Sequence, residues 1–251
     1  MPNILALIPA RMGSSRFPGK PMTLLLGKPM IGHVYENVAE CKMLADTVVA
    51  TCDDEIMDYI KSIGGKAVMT GTHHERASDR CAEALEILEK ENNIKYDIVV
   101  MIQGDEPMTC SEMIEESVSP LLADPTVKVT NLLGKIESTE EFEDRNCIKV
   151  VCDLASNAIY FSREPIPTRS RSKEVPMGKQ VCVISFTRNF LLEYITMPPT
   201  PLEIAESVDM MRVLENGYIV KMVPTNYQSF SIDVDEDKKR VEAYLAAKAG
   251  K

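Results

Sequence analysis

Arg11, Arg16 and Lys20 flank Gly13, Ser14 and Ser15, directly after an apolar run that starts at Ile4 and breaks at Pro9. Fixed positive charge beside small residues that can expose main-chain N–H groups suits the binding of phosphate. The Gly-x-Gly-x-x-Gly fingerprint is absent, and so is Gly-x-x-x-x-Gly-Lys-Ser/Thr, so the stretch is neither of the two commonest phosphate loops. On residue types alone it is a nucleotide- or phosphate-handling loop, the alternative being a merely solvated basic loop. The run Asp97–Ile102 leads straight into Gln103-Gly104-Asp105-Glu106-Pro107. A carboxylate at the carboxyl end of a central strand, beside a glycine that permits close approach, suits a magnesium–nucleotide complex. Asp105 is the better ligand because it follows the strand at once, and Glu106 is left to orient the loop or the metal's water shell; the alternative is an ordinary turn with both acids solvated. Asp233 falls between a strand and the terminal helix. It either meets Asp105 across a site or serves as a turn or capping residue. His73 and His74 are adjacent, cannot point the same way on regular structure, and find no cysteine or carboxylate spacing that completes a zinc site.

The elements that must position these groups alternate. The run from Ile4 is expected to enter the edge of an α/β sheet and release the basic loop at its carboxyl end. Helical spacing covers Met30–Leu44, with Pro29 placed for a first turn and His33 a structural member of that helix. A strand over Thr47–Ala50, a helix over Asp54–Ile63 ended by Gly64–Gly65, and a strand over Lys66–Met69 follow. Strand–helix–strand alternation predicts parallel pairing with helices on both faces. Beyond the polar stretch Thr70–Arg80 come a helix over Ala82–Glu91, the strand Asp97–Ile102 and a helix over Cys110–Leu122. Short strands are expected at Lys128–Leu132, Ile148–Val151, Ala158–Phe161, Gln180–Phe186 and Tyr218–Val223. Short helices are expected near Glu137–Phe142, Phe190–Ile195 and Leu202–Leu214. Ser162–Lys179, rich in Pro, Ser, Arg and Lys, reads as an irregular excursion off the sheet.

Arg11-x-Gly13-Ser14-x-Arg16-Phe17-Pro18-Gly19-Lys20, followed by Gly27-Lys28-Pro29-Met30-Ile31, resembles the opening of the nucleotidyltransferases that activate sugars. Within them it is most similar to the CMP-sugar synthetases, above all the 3-deoxy-manno-octulosonate (Kdo) cytidylyltransferases. Gln103–Pro107 and Ser162-Arg163-x-x-Ile166-Pro167 match the same family, and the likeness runs from Ile4 to about Leu245. The resemblance implies a three-layer, Rossmann-like α/β fold with a mostly parallel central sheet. It implies one nucleotidyltransferase domain over 1–251, with a smaller irregular dimerisation and acceptor region over 155–200, and a homodimer. The activity implied is transfer of CMP from CTP to an acidic sugar, with release of pyrophosphate and with Mg2+ held by Asp105 and Asp233. Arg11, Arg16, Lys20 and Asp105 would serve catalysis. Ala10, Gly13, Ser14, Ser78, Arg80 and Gln103 would bind the nucleotide, and Arg163, Gln180, Glu206 and Asp209 the acceptor.

This chain departs from the family on the acceptor side. Kdo enzymes usually show His-x-Gly-x-Tyr-x-Tyr-Arg where Gln180–Thr187 stands, and a glutamine where Met210 stands. Arg76-Ala77 replaces a usual Ser-Gly ahead of Ser78-Asp79-Arg80. Loss of polar positions alters hydroxyl recognition. Another acidic sugar or a small phosphonate is therefore an alternative acceptor, and a non-catalytic nucleotide-binding scaffold is the alternative of a different class.

The totals agree with a small-molecule enzyme. A chain of 251 residues can bury one substantial core, or one core with an appendage. A formal charge of -10 argues against non-specific nucleic-acid binding while permitting a local basic site. No run approaches the length of a membrane span, and Met1–Pro9 lacks a basic segment ahead of an apolar one, so neither membrane insertion nor a secretory signal is expected. Seven cysteines without a Cys-x-x-Cys pair read as reduced thiols of a cytoplasmic protein.

Overall fold

The computed structural model describes residues 2–13, 17–172, 177–228, 232, 238–239, 241–243 and 246. Ser14, Arg16, Asp233 and most of the expected terminal helix lie outside the described residues. Backbone contacts divide the chain into two compact units, Met1–Glu115 with Gln228–Lys251, and Glu116–Tyr227. The span 155–200 falls within the second.

The first unit is an open α/β layer. Strand β1 (Ile4–Ala10) leads through the basic loop and a 3-10 turn at Lys20–Met22 into a small hairpin, β2 (Leu24–Leu25) with β3 (Lys28–Pro29). Helix α1 (Met30–Ala39), β4 (Asp46–Thr51), α2 (Asp54–Ser62), β5 (Lys66–Met69), α3 (Ala77–Asn92) and β6 (Ile98–Ile102) follow. The sheet runs in the order β6-β1-β4-β5 with every pair parallel. Strands covered on both faces can be apolar at every position, which is why β1 and β6 read as unbroken hydrophobic runs rather than alternating ones. Leu5, Leu7, Val99 and Val100 are all fully buried.

Strand β1 is not an edge strand, contrary to the reading of its sequence. It pairs with β4 on one side, Leu7 opposite Val48, and with β6 on the other, Leu7 opposite Met101. From β1 the chain steps outward to β4 and β5, then returns across β1 to form β6. Because parallel crossovers are right-handed, this reversal sets α3 on the opposite face from α1 and α2. The carboxyl ends of β1 and β6 are thus the two sides of a topological switch point, where open α/β sheets place their ligands.

In the first unit the end of α1 and the start of α3 depart from expectation by more than a turn. Helix α1 stops at Ala39 rather than continuing to Leu44, because Cys41 N–H donates to Val38 O at 3.1 Å and Leu44 N–H to Cys41 O at 3.2 Å. These tight turns bring Ala45 N–H to Ile4 O at 2.8 Å and start β4 beside β1. Helix α3 begins earlier than its apolar spacing predicts, so Ser78 and Arg80 lie in its first turn. Asp79 there complements the positive helix terminus.

Helix α4 (Ser111–Ala123) carries the chain into the second unit. There β7 (Val129–Lys135), α5 (Thr139–Glu143), β8 (Lys149–Cys152), β9 (Ala158–Ser162), β10 (Gly178–Thr187), α6 (Arg188–Tyr194), α7 (Pro201–Glu206), α8 (Asp209–Glu215) and β11 (Lys221–Pro224) follow in order. Strand β7 runs parallel to β11 and antiparallel to β10, whose first residues also pair with β8 of the β8–β9 meander. The single helix expected over Leu202–Leu214 is two, α7 and α8, parted at Ser207, whose φ of +52° is left-handed. The ammonium of fully buried Lys149 donates to Asp144 O, Cys147 O and Arg163 O at 2.6–2.7 Å, which ties the loop before β8 to the end of β9.

Candidate active site

Lys20 is placed by a closed loop. Gly19 N–H donates to Met12 O at 3.1 Å, and Gly19 holds a φ of +72°, a left-handed conformation open to glycine without penalty. The chain then turns through Lys20–Met22 with Pro21 in the first turn, and Lys20 ends up buried. Its Nζ reaches Asp105 Oδ2 at 2.5 Å.

Asp105 is delivered by the turn after β6. A Cβ on Gly104 would lie 3.1 Å from Pro9 O and 3.4 Å from the Ala10 Cβ, a tight fit that favours glycine where the turn lies against the end of β1. The turn is pinned by Glu106 N–H to Gln103 O at 3.1 Å, and by Asn37 Nδ2 of α1 to Pro107 O at 2.8 Å. Buried Glu106 and half-buried Gln103 form the body of the turn, leaving Asp105 at the strand end. In the same unit Ile232, the residue before Asp233, shares an apolar cluster with Leu25, Met30, Met108 and Val241.

The basic loop is held from β4 by a residue that sequence reasoning missed. Met12 N–H donates to Asp53 Oδ2 at 2.9 Å. Asp53 occupies the N-cap position of α2 yet caps nothing with its side chain, which is turned instead toward the loop after β1. The available signal is an aspartate just past a strand adjacent to β1.

Arg80 is almost wholly buried. Its Nη1 donates to Thr70 Oγ1 at 2.5 Å and Gly71 O at 3.3 Å, and its Nη2 to His74 O at 3.4 Å. Exposed Arg11 reaches the same His74 carbonyl at 3.5 Å. Ser78, two residues earlier in the same turn of α3, is fully buried. His74 Nε2 pairs with Glu83 Oε2 at 2.6 Å, and Gly71 N–H donates to that oxygen at 2.8 Å. Burial works to raise the Glu83 carboxyl, but these two donors outweigh it and hold the group below the usual carboxylate range. His33 Nε2 bonds Leu25 O at 2.8 Å, the structural use its helix implies. Ala10, Arg11, Gly13, Lys20, Ser78, Arg80, Gln103 and Asp105 thus belong to a strand end, loops and helix starts at one end of one parallel layer.

Arg163, Gln180, Glu206 and Asp209 all belong to the second unit, where the first and third of these are joined. Arg163 donates from Nε to Glu206 O at 2.7 Å, from Nη1 to Arg145 O at 3.0 Å and from Nη2 to Ser207 O at 3.3 Å. Glu206 accepts from Tyr160 Oη, Ser162 Oγ and Arg163 N–H at 2.8–3.2 Å. Together they tie the end of β9 to the end of α7 and explain the break at Ser207. Gln180 Nε2 donates to Asn131 Oδ1 at 2.6 Å, and the Asn131 amide spans the bulge of β10 by donating to Val181 O at 2.7 Å. Asp209 opens α8, and its main-chain carbonyl accepts from Tyr194 Oη at 3.2 Å. Of the departures from the family pattern, Ile184 and Met210 are buried, and Thr187 caps α6 through Phe190 N–H at 3.4 Å.

The model of the cytidylyltransferase family matches residues 5–229. A 3-deoxy-manno-octulosonate cytidylyltransferase of Geobacter metallireducens is 38% identical, over 97% of this chain and 98% of that protein. One of Solibacter usitatus is 42% identical, over 97% of this chain and 95% of that protein. Among solved structures, a CMP:2-keto-3-deoxy-manno-octonic acid synthetase complexed with CTP superposes with a TM-score of 0.88 at 32% identity, covering 98% of this chain and 99% of that one. With a family match over nearly its whole length and relatives of this similarity along it, the chain belongs to the cytidylyltransferase family.

Proposed function

We propose that this cytidylyltransferase transfers CMP from CTP to Kdo or a Kdo-like acidic sugar, releasing pyrophosphate. The observation that carries the reading is the buried Lys20 ammonium against Asp105 at the β1/β6 switch point, in a chain whose relatives over their full length are Kdo cytidylyltransferases. A hydroxyl oxygen of the acceptor attacks the α-phosphorus, the bond to the bridging oxygen breaks, and pyrophosphate leaves. Lys20 holds a fixed positive charge where the leaving group gains negative charge, at low cost in reorganisation. Arg11 and Arg16 add charge from the same loop. Ser78, Arg80 and Gln103, with Ala10, Gly13 and Ser14, form the nucleotide side. Arg163, Gln180, Glu206 and Asp209 form the acceptor side.

The donor chemistry fits magnesium, which takes one or two carboxylates and completes its shell with water and substrate phosphates. Asp105 presents such a carboxylate at the strand end, partly open to solvent. Asp233 follows Ile232, which is buried in one cluster with Met108, and the two aspartates would hold the ion. When bound, it supplies charge that polarises the phosphoryl oxygens. Among the described residues no helix is long and apolar enough to cross a membrane. A homodimer joined through 155–200, and a cytoplasmic location, complete the proposal.

The test is pyrophosphate release with CTP and Mg2+ over a panel of Kdo, its amino-substituted analogue, sialic-type acids and small phosphonates. Selective turnover of Kdo is expected, since Ile184, Thr187 and Met210 meet the needs of core and cap inside the second unit. Turnover of another acceptor with silence toward Kdo would reassign the substrate and leave the nucleotide chemistry standing.

Lys20→Met should raise KM for CTP or lower kcat, for a combined loss of about 10^2-fold in kcat/KM, the size expected when one preorganised charge is removed. KM for the acceptor should hold. A variant that loses acceptor affinity alone would move Lys20 to the other substrate.

A further inference from the structure

We infer that Glu83 is a positioning residue for the nucleotide site: from α3 it fixes the loop Thr70–His74, against which Arg80 and Arg11 are set. This rests on the reading of the site as a CTP site. The loop follows β5 and therefore opens at the same end of the parallel layer as the loops after β1 and β6. Arg80 and Glu83 stand on one face of α3, three residues apart, and bear opposite charges. They take the loop's main chain by opposite ends. Arg80 receives the carbonyls of Gly71 and His74, while Glu83 receives the Gly71 N–H and the His74 ring.

On the loop the His73 and His74 rings stand 4.1 Å apart. Without the Glu83 carboxylate the Gly71 amide and the His74 ring lose the acceptor they share. The His74 carbonyl is then free to turn away from Arg80 and Arg11. Arg80 is nearly wholly buried and has no solvent to replace a lost carbonyl. The loss is thus passed to the two arginines that the nucleotide reading uses.

The experiment measures CTP binding by titration calorimetry, with kcat and both KM values, for the full chain and for Glu83→Ala, Glu83→Gln and His74→Asn. Glu83→Ala should weaken CTP binding roughly tenfold, the size of one lost charge-assisted hydrogen bond. Its kcat at saturating CTP should stay within about twofold and its acceptor KM should not move. Glu83→Gln keeps one acceptor oxygen for the Gly71 N–H and should recover most of that loss. His74→Asn, which keeps the carbonyl and removes the ring, covers the case in which Glu83→Ala does not fold, and should weaken CTP binding roughly threefold. Unchanged CTP affinity in Glu83→Ala and His74→Asn, or a fall in kcat and both affinities together, overturns the inference. Failure of the unmodified chain to bind CTP would overturn the nucleotide reading itself, and the inference with it.

Discussion

Asp105→Asn should lower kcat by about 10^3-fold while leaving the thermal transition nearly unchanged. A loss of about 4 kcal/mol of transition-state stabilisation corresponds to that factor, and it is the scale of charge stabilisation at a phosphoryl centre. Asparagine keeps the size of the side chain and an oxygen that can accept from Lys20, so the turn built on Gly104 and pinned by Asn37 need not move. What disappears is negative charge at the end of β6. Two explanations of a slow enzyme would remain: Asp105 acts on the substrate side, or it merely neutralises Lys20. The double variant Lys20→Met/Asp105→Asn separates them, because a pair that only neutralises itself is restored when both charges are removed. The double variant is expected to be at least as slow as Asp105→Asn. Recovery toward the unmodified rate would return Asp105 to the status of a counter-ion, and near-normal magnesium-dependent turnover of Asp105→Asn would remove it from the site.

The site was legible in the sequence where chemistry and strand ends coincide. Lys20 and Asp105 follow apolar runs that are buried on both faces, and a charged group after such a run has few other places to go than the ligand end of the sheet. The central position of β1 was not legible, because strand order is decided by the crossovers and not by the strand's own residues. Asp53 and Glu83 escaped notice for a related reason. Both serve main-chain N–H groups that lie far away in sequence or on a loop without periodicity, as Asp53 does for Met12. Ser78 and Arg80 read as part of a polar stretch because apolar spacing cannot announce a helix turn that buries an arginine through its hydrogen bonds. The division of Leu202–Leu214 was hidden too, since the left-handed turn at Ser207 is stabilised by Arg163 from the end of β9.

That same segment carries the largest expected effect on stability. Glu203 of α7 and Arg212 of α8 lie close in sequence to the candidate acceptor residues Glu206 and Asp209, which invites assignment to the acceptor. The geometry assigns them differently. Arg212 donates from Nε and Nη2 to the two carboxylate oxygens of Glu203 at 2.7 and 2.6 Å, from Nη1 to Met197 O at 3.3 Å, and its Cζ lies 4.7 Å from the Tyr194 ring centre. Their side chains are 3% and 0% exposed, so neither has water to fall back on. Glu203 also accepts from Thr200 N–H at 3.2 Å at the start of α7. Glu203→Ala leaves a guanidinium buried without its counter-ion, which costs about 3–5 kcal/mol. That is a large part of the total stability of a domain, and at this chain length it lowers Tm by roughly 10 °C. Glu203→Leu combined with Arg212→Met removes both charges and should recover most of the loss, since an apolar pair of similar volume avoids the desolvation penalty. Differential scanning calorimetry of the single and double variants reads the effect, with acceptor KM measured at a temperature where both are folded. A double variant that regains Tm and keeps acceptor KM fixes the pair as internal bracing between α7 and α8. Raised acceptor KM at restored Tm would instead put these two residues in contact with the sugar acid.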